Sequence, residues 1–458
     1  MDLEDWPRLD RTLARALEGW RRRTSELSRL TAPLDVAHNF EARMLAESPM
    51  PEALVHEEVV HAVRERSDDP LVAALRPWVE TLWVEGVVYD ARVEAAVAWG
   101  ALREVRGRSE RVSARGLRLE ALAGPHPSVR ARAAEDFLSI ANEVSAASLR
   151  FVERRLEREA LVGHDCRWLA TPDVAAREPS AGTVASRLAA QLLDATDELG
   201  AELCAHAWEE TARAAMVTGS RDGWPVRPTP RWLKGVLGGD GMMRGLRLSP
   251  PRAPSVVGAM SYARALGSLA MRILEASRTP ATPVSMHQHP NGSRRHARRA
   301  LFSSVVGEVS FAERVLGLSR VRAREHRRAF ARGIALSLRF DALRVLSGAA
   351  LTSGVSRGRE VFLEVSHRVL ARDVPGSLLA VLPTLRPGDG AALTGALLAG
   401  AQRRELIERH DEDWYRNPRA HAELRAEDEG VRTVDPIAEE TLAGEVSRLV
   451  EVLGHAIG

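Results

Sequence analysis

Apolar residues in this chain recur at steps of three and four, and that period limits its fold more than any other feature. Val184, Leu188, Leu192, Ala195, Leu199 and Leu203 share one face of a long helix predicted from about Gly182 to Met216. Phe330, Ile334, Leu338, Ala342 and Val345 do the same after Ser319, and so do Leu442, Val446, Leu449 and Leu453 near the C-terminus. Strand-like alternation bounded by turn pairs is scarce, and β-branched residues come singly rather than in runs. Each apolar stripe needs a partner surface, so the expected fold class is all-α.

Length and charge narrow the functions open to such a fold. The 458 residues allow two or three units at the usual ~150 residues per domain. The 64 basic and 62 acidic residues leave a net charge of +2, so global charge gives no reason to expect nucleic acid or an anionic membrane. Lys234 is the single lysine, and its context, Lys234-Gly235-Val236, is not the Gly-Lys-Ser/Thr of a phosphate-binding loop. The arginine-for-lysine bias reads as the coding of a GC-rich bacterium rather than as phosphate recognition. It also makes Arg–carboxylate pairs, buried or interfacial, an expected feature. Two cysteines, Cys166 and Cys204, both in segments read as helical and without a CxxC partner, make neither a disulfide framework nor a thiolate zinc cage. The acidic start Met1-Asp2-Leu3-Glu4-Asp5 lacks a signal-peptide pattern. The longest apolar stretch, Ala391 to Ala401, is about half of the ~20 residues a membrane span needs. A cytoplasmic protein is expected.

Breaks rich in Gly and Pro divide the helical pattern. The longest, Gly219 to Gly258, contains Trp224-Pro225, Pro228-Thr229-Pro230, Gly238-Gly239-Asp240-Gly241 and Pro250-Pro251. The expected organisation is an N-terminal helical lobe (1–218), a connection (219–258) and a C-terminal helical lobe (259–458). Shorter breaks fall at Ser277 to Ser293 and Pro383 to Gly390, and Asn417-Pro418 marks a helix boundary. The stretch from Gly124 to Ala134 has the look of a HEAT-type helix start, but no second copy recurs ~40 residues away.

Few residues form a pattern that carries chemistry. His56-Glu57-Glu58-Val59-Val60-His61 is close to HExxH, but its histidines are five apart and diverge by about 140° around a helix. A solvated helix start is the simpler reading. His287, His289 and His296, with Glu308 adding a carboxylate, are the candidate metal ligands, set against the alternative of an exposed loop. Gly354-Val355-Ser356-Arg357-Gly358 matches G-x-S-x-G in letters, but it follows a helix instead of a strand and reads as a helix-helix turn. His206 reads as a helix-edge histidine, Arg21-Arg22-Arg23 as the polar face of the first helix, and Trp414 as a core anchor beside solvated Glu412, Asp413 and Arg416.

Taken in order, several segments resemble the all-helical zinc metallopeptidases of the oligoendopeptidase F and thimet oligopeptidase type, most closely divergent bacterial relatives. They are Asp69 to Trp78, Leu192 to Leu199, Gly223 to Leu233 and Asp411 to Ala420. The resemblance implies two helical lobes around an interlobe cleft, with HExxH on one helix and a glutamate ligand on a later one. By order the HExxH helix corresponds to Ser261 to Arg272, which holds no histidine and no carboxylate, and the glutamate falls near Glu308. A catalytic zinc needs three protein ligands. The family also places tyrosine and histidine donors for the oxyanion in the C-terminal lobe. The tyrosines here are Tyr89, Tyr262 and Tyr415, with none between Leu301 and Gly400.

The resulting expectation is a metallopeptidase-like helical protein without catalysis, with no catalytic residues and no cofactor, that binds a peptide or partner protein. Two alternatives stay open. One is a metal-dependent hydrolase using zinc at His287, His289, His296 and Glu308. The other is a helical-repeat adaptor.

Overall fold

The computed structural model describes residues 5–30, 52–66, 68–163, 174–175, 183–204, 207–216, 223–225, 229–239, 259–277, 282–287, 289, 292–379, 381, 388–430 and 437–458. Cys166, His206 and most of 219–258 lie outside these, as do the side chains of Arg21 to Arg23. The fold is all-α. The described strands are two-residue pieces, Val174–Ala175 paired in parallel with Ile437–Ala438.

Helix starts obey local chemistry. Asp69 accepts from Leu71 N at 2.7 Å and precedes Pro70, whose missing N–H costs nothing in the first turn of helix Pro70–Val87. Ser113, Thr183 and Thr229 cap helices Ala114–Ala123, Val184–Leu203 and Pro230–Val236 in the same way. Pro127 opens one long helix, Pro127–Leu161. Gly354, at φ 110°, makes the turn between helices Arg320–Leu351 and Val355–Leu370, so the G-x-S-x-G letters mark a helix-helix turn.

The apolar stripes bury as three clusters. The first gathers Trp6, Leu13, Leu54, Val60, Val72, Leu75, Trp78 and Val79 with the distant Val284. Buried Asp10 ties that distant segment in, accepting from Val284 N and Ser285 N at 2.9 Å and from Ser285 Oγ at 2.7 Å. The second and largest takes residues from both sides of 219–258: Phe137, Leu188 and Leu192 meet Leu343, Phe362, Leu393, Leu442 and Val446. The third joins helix Ala259–Ser277 to helices Ser293–Ser304 and Val309–Arg314 through Tyr262, Phe302, Phe311, Phe330, Trp414 and Tyr415. Helix Arg320–Leu351 runs through two of them, with Phe330 in the third and Ala335 to Leu351 in the second.

The helix predicted from Gly182 to Met216 is instead two. Helix Val184–Leu203 ends at Cys204, which is extended at φ −76° and ψ 132°, and a second helix runs from Trp208 to Met216. The break seats Trp208 in the core, its ring centroid 6.3 Å from that of Phe137. Within the first helix Ala195 is exposed, because the buried face runs Val184, Leu188, Leu192, Thr196 and Gly200. No helix among the described residues is long and apolar enough to cross a membrane.

Candidate functional site

Glu308 sits where helix Ser293–Ser304 has tightened into a 3-10 turn, Val305–Gly307, just before helix Val309–Arg314. Its backbone is extended, at φ −73° and ψ 139°, in the N-cap position, but its side chain makes no capping bond. It turns inward, where it is 2% exposed and meets Arg403 of helix Asp389–His410. Arg403 Nε donates to Oε1 at 2.5 Å and Nη2 to Oε2 at 2.7 Å, a bidentate fork that occupies both oxygens. Burial alone would lower the Arg403 pKa, but the Glu308 charge and its hydrogen bonds outweigh this and raise it above the ordinary guanidinium value. The two side chains form one ion pair at the centre of this region.

The turn that carries Glu308 is fixed from below. His326 Nε2–H donates to the Val306 carbonyl at 2.8 Å, and burial keeps this ring below the ordinary imidazole pKa, so it is neutral at pH 7. Gly307 lies against the Phe330 ring so closely that a Cβ would overlap it. Beside the turn, Ser310 Oγ lies 3.4 Å from the Tyr415 hydroxyl, whose pKa burial raises. His421 Nε2 donates to the Tyr415 carbonyl at 2.7 Å. Trp414 is fully buried, as its reading as a core anchor requires, though in a 3-10 turn, Trp414–Arg416.

Helix Ala259–Ser277, over its described side chains from Tyr262 to Leu274, carries no histidine and no carboxylate. Its buried face is Tyr262, Ala263, Leu266, Leu269, Ala270 and Ile273, while Arg264, Ser268 and Arg272 point to solvent. Tyr262 stacks on Trp224, with centroids 4.5 Å apart, and donates its hydroxyl to the Pro225 carbonyl. That tyrosine is a packed structural group.

The other candidate ligands go to separate tasks. His287 ends the short helix Val284–His287, buried, with Nε2 3.1 Å from the Leu274 carbonyl. His289 is half-buried and its carbonyl receives Gly292 N–H at 3.3 Å. His296 lies on helix Ser293–Ser304 where Gly395 packs directly against that helix. Among the described residues no group of three or more His, Cys, Asp or Glu side chains is placed to hold a metal ion, so these three histidines and Glu308 are not brought together. His56 precedes helix Glu57–Glu65, and exposed His61 lies 3.8 Å from exposed Glu57, a solvated helix face.

The sequence makes Arg–carboxylate pairs an expectation without naming their members, and two networks built on the buried Arg155 and Arg339 are present. Arg155 pairs with Glu85 and, at 2.8 Å, with Glu159; burial would raise the Glu85 pKa, yet Arg155 and Arg92 hold it below the ordinary carboxylate value. Arg339 donates to Thr196 Oγ1 at 2.8 Å and Asp197 Oδ1 at 3.1 Å, and Arg368 reaches Asp197 and Asp194 at 2.5 and 2.9 Å. Only the supply of arginine hinted at them.

Two concavities, of about 350 and 320 Å³, open on the described surface. The first is lined by Asn142, Ser145, Leu149, Arg359, Leu363 and Ser377, the second by the turn around Gly107 to Glu110 with Arg132. Neither takes in Glu308 or the candidate histidines.

No protein-family model and no curated protein matches this chain. Among solved structures it is similar to oligoendopeptidase-F from Enterococcus faecium, at 11% identity and a TM-score of 0.44, over 97% of this chain and 93% of that one.

Proposed function

We propose that this chain is a two-lobed, metallopeptidase-like helical scaffold that works without peptidase chemistry and binds a peptide or partner protein. The observation that carries the reading is the Glu308–Arg403 pair. The carboxylate standing where the sequence resemblance calls for a zinc ligand has both oxygens committed to a guanidinium, and a second cation there would face like-charge repulsion. The rest of the described donor set does not fit zinc either, since the described buried face of helix Ala259–Ser277 carries only apolar side chains and Tyr262, whose hydroxyl is taken by the Pro225 carbonyl.

The binding half is supported by the concavity of about 350 Å³ between helices Pro127–Leu161 and Val355–Leu370. Its lining sets the amide of Asn142, two serines and the solvent-facing Arg359 beside Leu149 and Leu363. That mixture of donors and apolar contact suits a side chain or terminal carboxylate of a peptide.

The test pairs metal analysis of the purified protein with a quenched-peptide cleavage assay. The expected result is no stoichiometric zinc and no chelator-sensitive cleavage. Stoichiometric zinc, with cleavage abolished by chelator and by His289→Ala, would overturn the reading in favour of the relocated site.

A further inference from the structure

The first four turns of helix Arg320–Leu351 carry Arg320, Arg322, Arg324, Arg327, Arg328 and Arg332, with Glu325 as the one carboxylate. One side of this stretch is core: Ala323, His326 and Phe330 are buried. The arginines take the other side, exposed except for half-buried Arg327. Arg320, Arg324, Arg328 and Arg332 follow one another at four-residue steps, the i±4 ridge of a helix, about 6 Å per step and about 18 Å from end to end. Arg327 flanks that ridge. Val321, 68% exposed, is the next residue after Arg320 and lies in the first turn of the same helix.

Many guanidiniums meet carboxylates, as Arg64 does with Glu80, Arg130 with Glu210, Arg187 with Glu439 and Arg404 with Glu445. Others, Arg11, Arg15, Arg154 and Arg158 among them, have no side-chain partner among the described residues, and what sets the ridge apart is that four such arginines gather along one stretch of a single helix. On the ridge, Arg328 donates at 3.1 Å to the main-chain oxygen of Gly458, part of the carboxylate that ends the sequence, and Arg322 also has a partner. Arg320, Arg324, Arg327 and Arg332 make no side-chain hydrogen bond or ion pair with the described residues. A chain with nearly balanced charge thus keeps a local row of positive charge that the described residues leave largely unneutralised.

We propose that this ridge is a docking surface for an acidic helical segment of a partner protein, one whose carboxylates recur at every fourth residue. Carboxylates at i and i+4 on a helix repeat at the same ~6 Å step, so successive guanidinium forks meet successive acids. Val321 supplies an apolar contact in the first turn. A single-stranded nucleic acid fits less well. Its binding sites combine basic grooves with stacking aromatics, and none of the exposed large apolar side chains among the described residues is aromatic. The inference rests on the reading of the chain as a protein-binding scaffold and names the chemistry of its partner.

The test uses the full-length protein and a fluorescently labelled synthetic helix with glutamate at every fourth position. A peptide of equal charge broken by prolines and a single-stranded oligonucleotide serve as competing probes. The variants are Arg320→Glu/Arg324→Glu/Arg327→Glu/Arg332→Glu and the corresponding four-site glutamine set, with circular dichroism and thermal midpoint reporting that each is folded. The expected result is saturable binding that weakens with salt, favours the helical peptide, and falls by about tenfold or more on charge reversal, with the glutamine set in between. Absence of saturable binding, equal binding by the folded charge-reversed variant, or tighter binding of the oligonucleotide overturns the proposal. The two readings fail separately: chelator-sensitive cleavage sinks the non-catalytic scaffold and leaves the ridge standing, whereas a zinc-free, inactive protein that ignores the peptide sinks the ridge alone.

Discussion

Arg403→Met tests the environment of Glu308 most directly. The Glu308 side chain is 2% exposed and that of Arg403 is 21% exposed, so the two partners depend on each other unequally. Removing one member of a buried ion pair costs about 3–5 kcal/mol, whereas replacing both with apolar groups is often neutral. Arg403→Met strands the more deeply buried charge and should cost about 4 kcal/mol at neutral pH. Glu308→Gln leaves a guanidinium that water still reaches and should cost about 2 kcal/mol. The double change to methionine at both positions should return to within about 1 kcal/mol of the parent. The single variants also differ in their response to pH. A stranded Glu308 carboxyl has a folded pKa above its unfolded value of about 4.3, so the folded state binds the proton more tightly. The deficit of Arg403→Met is then complete above that raised pKa and shrinks as pH falls through it, while the deficit of Glu308→Gln shows no such relief. Urea unfolding followed by circular dichroism at neutral and mildly acidic pH reads both quantities. In a cooperative unfolding of all 458 residues, 4 kcal/mol moves the thermal midpoint by only about 4 °C, so denaturant midpoints are the better measure. Equal costs for the two single variants, or costs within about 0.5 kcal/mol of the parent, would show a solvated carboxylate free to bind a cation and would refute the argument.

Gly200→Ala should be destabilising by about 1–3 kcal/mol even though alanine favours a helix, because its Cβ would overlap the buried Arg339 guanidinium. In an Arg339→Met background the obstacle is gone and the same change should become stabilising, by up to about 1 kcal/mol; an unchanged sign in paired denaturation curves would show that the guanidinium is not the cause. Burial holds the folded pKa of both His326 and His421 below the ordinary imidazole value, with Arg425 pushing His421 the same way. The unfolded chain therefore takes up protons that the fold refuses: their contribution is complete above about pH 6.5 and is lost as pH falls below it toward the folded pKa values, at up to about 2.7 kcal/mol per pH unit for the pair. Denaturant midpoints should drop through that window for the parent and stay flatter for His326→Gln/His421→Gln. Parallel slopes would remove these two rings as the origin.

Helix content was legible because it is written at short range. The stripes through Phe330 and Leu442 face the core, with Ile334 and Leu449 half-buried and the rest buried, and the turn at Gly354 needed only a helix on each side. The break after Leu203 was not legible, since it answers to Trp208 finding Phe137 across the core. The charge networks are out of reach of any local pattern for the same reason. Arg403 lies 95 residues from Glu308, Arg155 lies 70 from Glu85, and Arg187 lies 252 from Glu439. Spacing can nominate His287, His289, His296 and Glu308 as ligands, but whether four groups converge depends on how helices cross.

The arginine ridge shows a different kind of blindness. A coding bias toward arginine concerns the total alone. It says nothing about where carboxylates fail to follow. Many arginines of the chain are paired with a carboxylate, one turn away as Arg409 is with Glu405 at 3.0 Å or across the fold as Arg187 is with Glu439. From Arg320 to Arg332 the sequence supplies Glu325 alone, and the fold brings no carboxylate to Arg320, Arg324, Arg327 or Arg332 among the described residues. A composition bias raises the number of arginines everywhere, but it gives no reason for acids to be withheld from one exposed ridge. Withholding them keeps like charges about 6 Å apart on one helix face, a local destabilisation of a few tenths of a kcal/mol per pair. That cost is relieved when a partner brings the missing carboxylates, so charge reversal at these positions should stabilise the free protein slightly while it abolishes docking.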